Sequence, residues 1–145
     1  MNRPIKFRFW GDFGDFNEEA DTCEKEMLYG DRFHFFDHAP INDLFADKRF
    51  VVMQFTGIVD KNGKNIYEGD IMCGFNENTK GVVKKGIYAN PCDDIHTSHI
   101  GFYLEFQNER GELMLRKDLG YWLDTTYVEG NIFENPELLK TNKDV

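Results

Sequence analysis

The chain has 145 residues, a formal net charge of −9 from 26 acidic and 17 basic side chains, and 15% aromatic content with 14 Phe against 4 Pro. That length suits one domain with its own core and needs no covalent staples. The charge balance disfavours general attraction to a phosphate backbone, and the three widely spaced cysteines, an odd number, give no disulfide framework and point to a reducing, cytoplasmic compartment. No apolar run approaches the roughly 20 residues of a membrane span, and the first ten residues lack the apolar stretch of a secretory signal, so a soluble intracellular protein is expected.

The first expected strand covers residues 4–10, where Ile5, Phe7 and Phe9 alternate with Lys6, Arg8 and Trp10, the period of a half-buried strand. Met27, Leu28 and Tyr29 form its hairpin partner. Between them, residues 11–26 form a long acidic insertion with Asp12, Asp15, Glu18, Glu19, Asp21, Glu24 and Glu26 against Lys25 alone, and it is expected to be mobile or locally helical. Asn42-Asp43-Leu44-Phe45-Ala46 reads as one helical turn.

Residues 54–71, QFTGIVDKNGKNIYEGDI, carry the strongest local signal. Asn62-Gly63 is the dipeptide that best supplies the two positive φ values of a type I′ turn, so a β-hairpin is predicted around it. Glu68-Gly69-Asp70 reverses the chain again, with Gly69 left-handed. The apolar run from Ile71 to Phe75 continues as a strand whose partner is either residues 81–89 or residues 101–107. Those two segments are themselves strands, joined by a loop over residues 90–98, and a turn at Glu109-Arg110-Gly111-Glu112 leads into Leu113-Met114-Leu115. After another turn at residues 118–121, residues 125–133 alternate as a last strand. Asn135 as N-cap, Pro136 at the first helical position and Glu137 near the positive helix end predict a short C-terminal helix, with Leu138 and Leu139 docking it. The fold class expected is mainly β, α+β by content: an antiparallel meander closing into a small barrel-like structure with a few short helices.

Three blocks resemble the YopX-like proteins of bacteriophages and prophages: Ile5-Lys6-Phe7-Arg8-Phe9-Trp10 with Met27-Leu28-Tyr29; Gln54-Phe55-Thr56-Gly57 through Asp60-Lys61-Asn62-Gly63-Lys64 and Ile66-Tyr67-Glu68-Gly69-Asp70-Ile71; and Gly130-Asn131-Ile132 with Glu134-Asn135-Pro136-Glu137-Leu138-Leu139. They sit at the start, middle and end, so the resemblance spans nearly the whole chain as one domain, residues 1–145. Phe55 stands where the family typically shows Tyr, and the link before Met27 is longer and more acidic than the family's. The resemblance implies a small β domain of barrel-like character, encoded on phage DNA in a bacterial host, and it implies no catalytic residues.

The densest chemistry is Cys92-Asp93-Asp94-Ile95-His96-Thr97-Ser98-His99, which makes Cys92, Asp94, His96 and His99 candidate metal ligands. No CxxC partner occurs elsewhere, so a polar loop with incidental His and Cys is the preferred reading and no cofactor is expected. His34 and His38 lie four apart among Phe residues and suggest a partly buried surface. Cys23 sits in an acidic run that raises a thiol pKa, and Cys73 reads as core. Glu68, Asp70, Asn131 and Asn135 read as side chains that satisfy backbone N–H groups at turns. Lys80, Lys84 and Lys85 with Tyr88 form a small basic, aromatic cluster, with Lys84 and Lys85 on opposite faces of a strand. The function expected is therefore a binding or regulatory module, not an enzyme, recognising a host or phage protein. Homo-oligomers are compatible with aromatic β surfaces. The rival classes are a small metal-dependent hydrolase or nuclease using the 92–99 loop, and a nucleic-acid-binding β-barrel.

Overall fold

The computed structural model describes residues 5–11, 25–29, 50–76, 79–90, 93–107 and 113–139. Residues 12–24 of the acidic insertion, Cys23, His34, His38, the helical turn expected at Asn42, Cys92 and the turn expected at Glu109 lie outside the described residues. The chain is mainly β, with antiparallel sheets of which one curls into a half-barrel. It divides into two compact units, Met1–Phe55 and Thr56–Val145.

In the first unit, β1 (Phe7–Gly11) lies between β2 (Glu26–Tyr29) and the start of β3 (Val51–Val59), antiparallel to both. The register sets Phe9 against Leu28 on one side and Val52 on the other. Phe9 and Phe50 are buried, with Phe7, Leu28 and Val52 packed around them. The expected alternation fails at Arg8, which is only 2% exposed. At that exposure the guanidinium is covered along with the aliphatic stem, so the charged head does not reach water.

In the second unit β3 continues beside β4 (Asn65–Tyr67), and the connection is a hairpin as predicted. Its turn is not type I′. Gly63 alone takes a positive φ, +83°, and no non-glycine residue among those described does so. Gly63 N–H donates to Asp60 O at 3.0 Å and Asp60 N–H to Lys64 O at 2.8 Å, the pattern of a type I turn followed by a glycine bulge. The Asp60 carboxylate explains the choice: its Oδ1 accepts the N–H groups of Asn62 (2.8 Å) and Lys64 (2.9 Å), which holds Asn62 in an ordinary right-handed conformation. The next turn is as expected. Gly69 has φ +91°, and Tyr67 N–H donates to Asp70 Oδ2 at 2.8 Å.

A five-stranded antiparallel sheet follows, in the order β8-β7-β6-β5-β9. Its strands are β5 (Asp70–Asn76), β6 (Thr79–Tyr88), β7 (His99–Gln107), β8 (Leu113–Asp118) and β9 (Tyr127–Asn131). Strands β5 to β8 are the expected meander, and β6 is the partner of β5. The return of β9 to the free edge of β5 was not expected. One sheet face forms the core: Met72, Val83, Leu104, Phe106 and Val128 pack with Ile66 of β4 and with Leu119, in the 3-10 turn that follows β8. Val83 faces Leu104 and Met72 faces Val128 across the strands, so each layer is a cross-strand pair.

The C-terminal helix is a single 3-10 turn, Pro136–Leu139, in which Leu138 N–H donates to Asn135 O at 3.1 Å. Asn135 does not cap it with its side chain. The Asn135 Oδ1 instead accepts Asn131 N–H at 3.2 Å, so the residue ties the turn back to the end of β9.

Candidate functional site

Alternation along β6, β7 and β8 puts the residues between the core positions on a second, polar face. Lys84 lies opposite Tyr103, Tyr103 opposite Asp118, Glu105 opposite Arg116 and Tyr88 opposite His99. Glu105 is buried, and its two oxygens take one cation each: Lys84 Nζ at 2.8 Å and Arg116 Nε at 3.1 Å. Burial works against the charged carboxylate, but the hydrogen bonds and charges of Lys84 and Arg116 outweigh it and hold the Glu105 pKa below its ordinary range. Lys84 and Arg116 themselves are 43% and 41% exposed, so the buried anion fixes two cations at the surface.

Next to this triad the aromatic rings form a short stack. Tyr88 lies between His99, with centroids 5.4 Å apart, and Tyr103, at 4.7 Å. The Tyr88 hydroxyl donates to Asp118, and burial together with that carboxylate pushes its pKa up to about 12. Asn90 and Asp118 bond reciprocally: Asp118 N–H donates to Asn90 Oδ1 at 3.1 Å, and Asn90 Nδ2 to Asp118 Oδ2 at 3.3 Å. Asp93 Oδ2 accepts Asn90 N–H at 2.8 Å and bonds His99 Nε2 at 2.9 Å. The Asn90 hydrogen bond first, and the His99 ring after it, keep the Asp93 carboxyl below its usual pKa. These contacts pin the 90–99 loop to the end of the sheet.

A family model for YopX protein matches residues 14–140. The chain belongs to the YopX family. The matched span takes in the Met27-Leu28-Tyr29, middle and terminal blocks that carried the resemblance, and the Ile5 to Trp10 block precedes it. Among solved structures, the crystal structure of protein EF1440 from Enterococcus faecalis is similar, with 24% identity over 96% of this chain and 100% of that one and a TM-score of 0.37. A search of curated proteins returned no match. Among the described residues no helix is long and apolar enough to cross a membrane.

In this YopX protein three of the loop ligands named from sequence, Asp94, His96 and His99, lie among the described residues. Asp94 Oδ1 accepts His96 N–H at 3.3 Å, both residues are exposed, and His99 is engaged with Asp93 and Tyr88. Cys92 is outside the described residues, and among those described no group of three or more His, Cys, Asp or Glu is placed to hold a metal ion. The basic cluster is divided as well. Lys80 pairs with Glu129 at 3.2 Å, Lys84 with Glu105, and Lys85 Nζ lies 5.9 Å from the Phe102 ring centroid. Tyr88, the aromatic platform of that reading, has both ring neighbours and hydroxyl engaged within the sheet. Sequence reasoning missed Glu105, Arg116, Asp118 and Tyr103. Their alternation was visible, but which strand faces which residue is a matter of register.

Cys73 is buried in β5 as expected, and its thiol donates to Glu129. Burial, and then the Glu129 carboxylate, push its pKa up to about 12, while the same bond, with Lys80, lowers that of Glu129. In a Cys23→Ser, Cys92→Ser background, alkylation of Cys73 by iodoacetamide at pH 8 is expected to be slower by roughly a hundredfold or more in the folded chain than in urea. Mass spectrometry of timed samples measures this, and equal rates would contradict the buried, carboxylate-bonded thiol.

Proposed function

We propose that this YopX-family chain is a non-enzymatic binding module of phage or prophage origin, acting in the cytoplasm of its bacterial host by recognising a protein partner through the Lys84, Glu105 and Arg116 face. The observation that carries this reading is the state of Arg116. It bonds Glu105 through Nε alone, its terminal amino groups hold no partner among the described residues, and it is part-exposed. A guanidinium fixed in this way presents a planar donor fork with little side-chain freedom left to lose, which suits a carboxylate on a partner protein. Arginine in such a position is a frequent hot-spot residue. The neighbouring titratable groups support recognition over chemistry: Tyr88 is displaced upward and Glu105 and Asp93 downward, each away from the neutral range where a general acid or base works best.

The test is capture of host proteins on the tagged full-length chain in mild salt. The wild type is expected to retain a host protein reproducibly, and the Lys84→Ala, Arg116→Ala variant to retain roughly tenfold less. Removing both cations alone would leave the buried Glu105 carboxylate unpaired, at a cost of about 3–5 kcal/mol, so the variant also carries Glu105→Gln and is used only where its circular dichroism matches the wild type. Repeated capture of no protein, or equal capture by the variant, would sink the reading.

A further inference from the structure

The core face of the β6–β7 pair runs out beyond its cover. Val83 and Leu104 face each other at 1% and 0% exposure; two rows on, Ile87 and Ile100 are again direct partners but are 71% and 84% exposed. Ile95, in the loop that joins the strands, is 91% exposed. Isolated surface isoleucines need no account, but an opposed pair on the core face, with a third exposed isoleucine in the loop that follows, makes an apolar patch.

The backbone marks where this patch begins. Gly86 and Gly101 are directly paired, with φ of +154° and +153°, a region that glycine alone adopts readily. Past that pair, β6 and β7 have only each other as strand partners among the described residues, since the register with β5 ends at Val82 and that with β8 at Tyr103. The distal part is therefore a two-stranded arm with an apolar face.

Charge along the arm selects the occupant. Lys85 stands on the same face toward the base, over Phe102, while the exposed Asp94 stands in the loop at the tip. A uniformly basic partner meets Lys85 unfavourably and a uniformly acidic one meets Asp94. A second copy laid antiparallel, base over tip, presents the required reversed order, with the isoleucine pairs of the two arms in contact at the centre. We infer that the Ile87, Ile95 and Ile100 face is an isologous docking site for a second copy of this chain. The patch is small beside the roughly 1,200 Å2 or more of a stable specific interface, so the association is weak and concentration-dependent.

Sedimentation velocity on the full-length chain over a concentration series tests it. The wild-type mass is expected to rise toward that of a dimer, with association weakened roughly tenfold or more in Ile87→Lys, Ile100→Lys and in the β-branched control Ile87→Thr, Ile100→Thr, both with unchanged circular dichroism. Lys85→Asp should weaken the dimer, and Lys85→Asp with Asp94→Lys should restore it. A wild type that stays monomeric throughout, folded isoleucine variants that dimerise like the wild type, or a charge swap that restores nothing would each overturn the inference.

Discussion

Replacing Asp60 by alanine is expected to destabilise the chain by about 3 kcal/mol in urea unfolding at pH 7. The residue is buried, and its carboxylate accepts three backbone N–H groups: Asn62 and Lys64 within the turn, and Val128 of β9 at 2.8 Å, 68 positions away. Alanine leaves all three donors to find other partners, and Val128 sits in the core with none nearby in the turn. The pH dependence has a definite sign. Burial alone would raise the Asp60 pKa, but the hydrogen bonds from Val128, Lys64 and Asn62 and the Lys64 charge outweigh it and lower it below the ordinary 3.8. A carboxylate depressed in the folded state stabilises fully above its unfolded pKa and loses that contribution as pH falls through the folded value. The gap between wild type and Asp60→Ala should therefore be constant from neutral pH down to about 5 and narrow below pH 3.8. A gap that is absent at pH 7, or that widens in acid, would show that the carboxylate is not the organising group. Asp60→Asn retains one acceptor oxygen but turns an amide donor toward backbone N–H groups, so it should fall between the two.

Asp60 also shows how far this fold could be read from its residues. The turns were legible because their chemistry lies within four positions of chain: Gly63 and Gly69 occupy the positive-φ positions expected of them. The meander from β5 to β8 was legible because short alternating segments punctuated by turn residues leave little other choice. What failed at the turn was a neighbour passed over, the Asp60 side chain, and what failed at β9 and in the site depended on distant partners. The type I′ assignment rested on Asn62-Gly63 alone, whereas the Asp60 side chain decides the turn. The edge position of β9 rests on its register with β5, where Asp70 meets Asn131 and a bulge shifts the pairing after Ile71. The site followed the same division. Lys84 and Tyr88 could be placed on one strand face from spacing, but Glu105 and Arg116 join them only through the β6–β7 and β7–β8 registers. The two ion pairs of Glu105 join residues 21 and 11 positions apart in sequence, and one slip of register would send Glu105 into the core.

The second large effect is expected at Gly130, and its cause is steric. A Cβ built on Gly130 meets Asn135 Oδ1 at 2.5 Å, Cγ at 2.8 Å and Cβ at 2.9 Å, all closer than real Cβ contacts. Gly130→Ala must therefore move Asn135. That side chain cannot swing away freely, because Oδ1 accepts Asn131 N–H at 3.2 Å and Asn135 N–H donates to Asn131 O at 2.9 Å. Asn131 in turn accepts the N–H groups of Phe133 at 3.0 Å and Glu134 at 2.8 Å, so a displacement at 135 loosens the whole turn after β9. The lost hydrogen bonds and strain amount to about 2–4 kcal/mol, measured as the drop in unfolding free energy. Asn135→Gly removes the obstructing side chain together with its hydrogen bond and should cost about 1 kcal/mol by itself. The double variant Gly130→Ala, Asn135→Gly is then expected to be more stable than Gly130→Ala alone, a non-additivity that only direct contact produces. Simple additivity of the two losses would place the constraint on Gly130 in its backbone and not in Asn135.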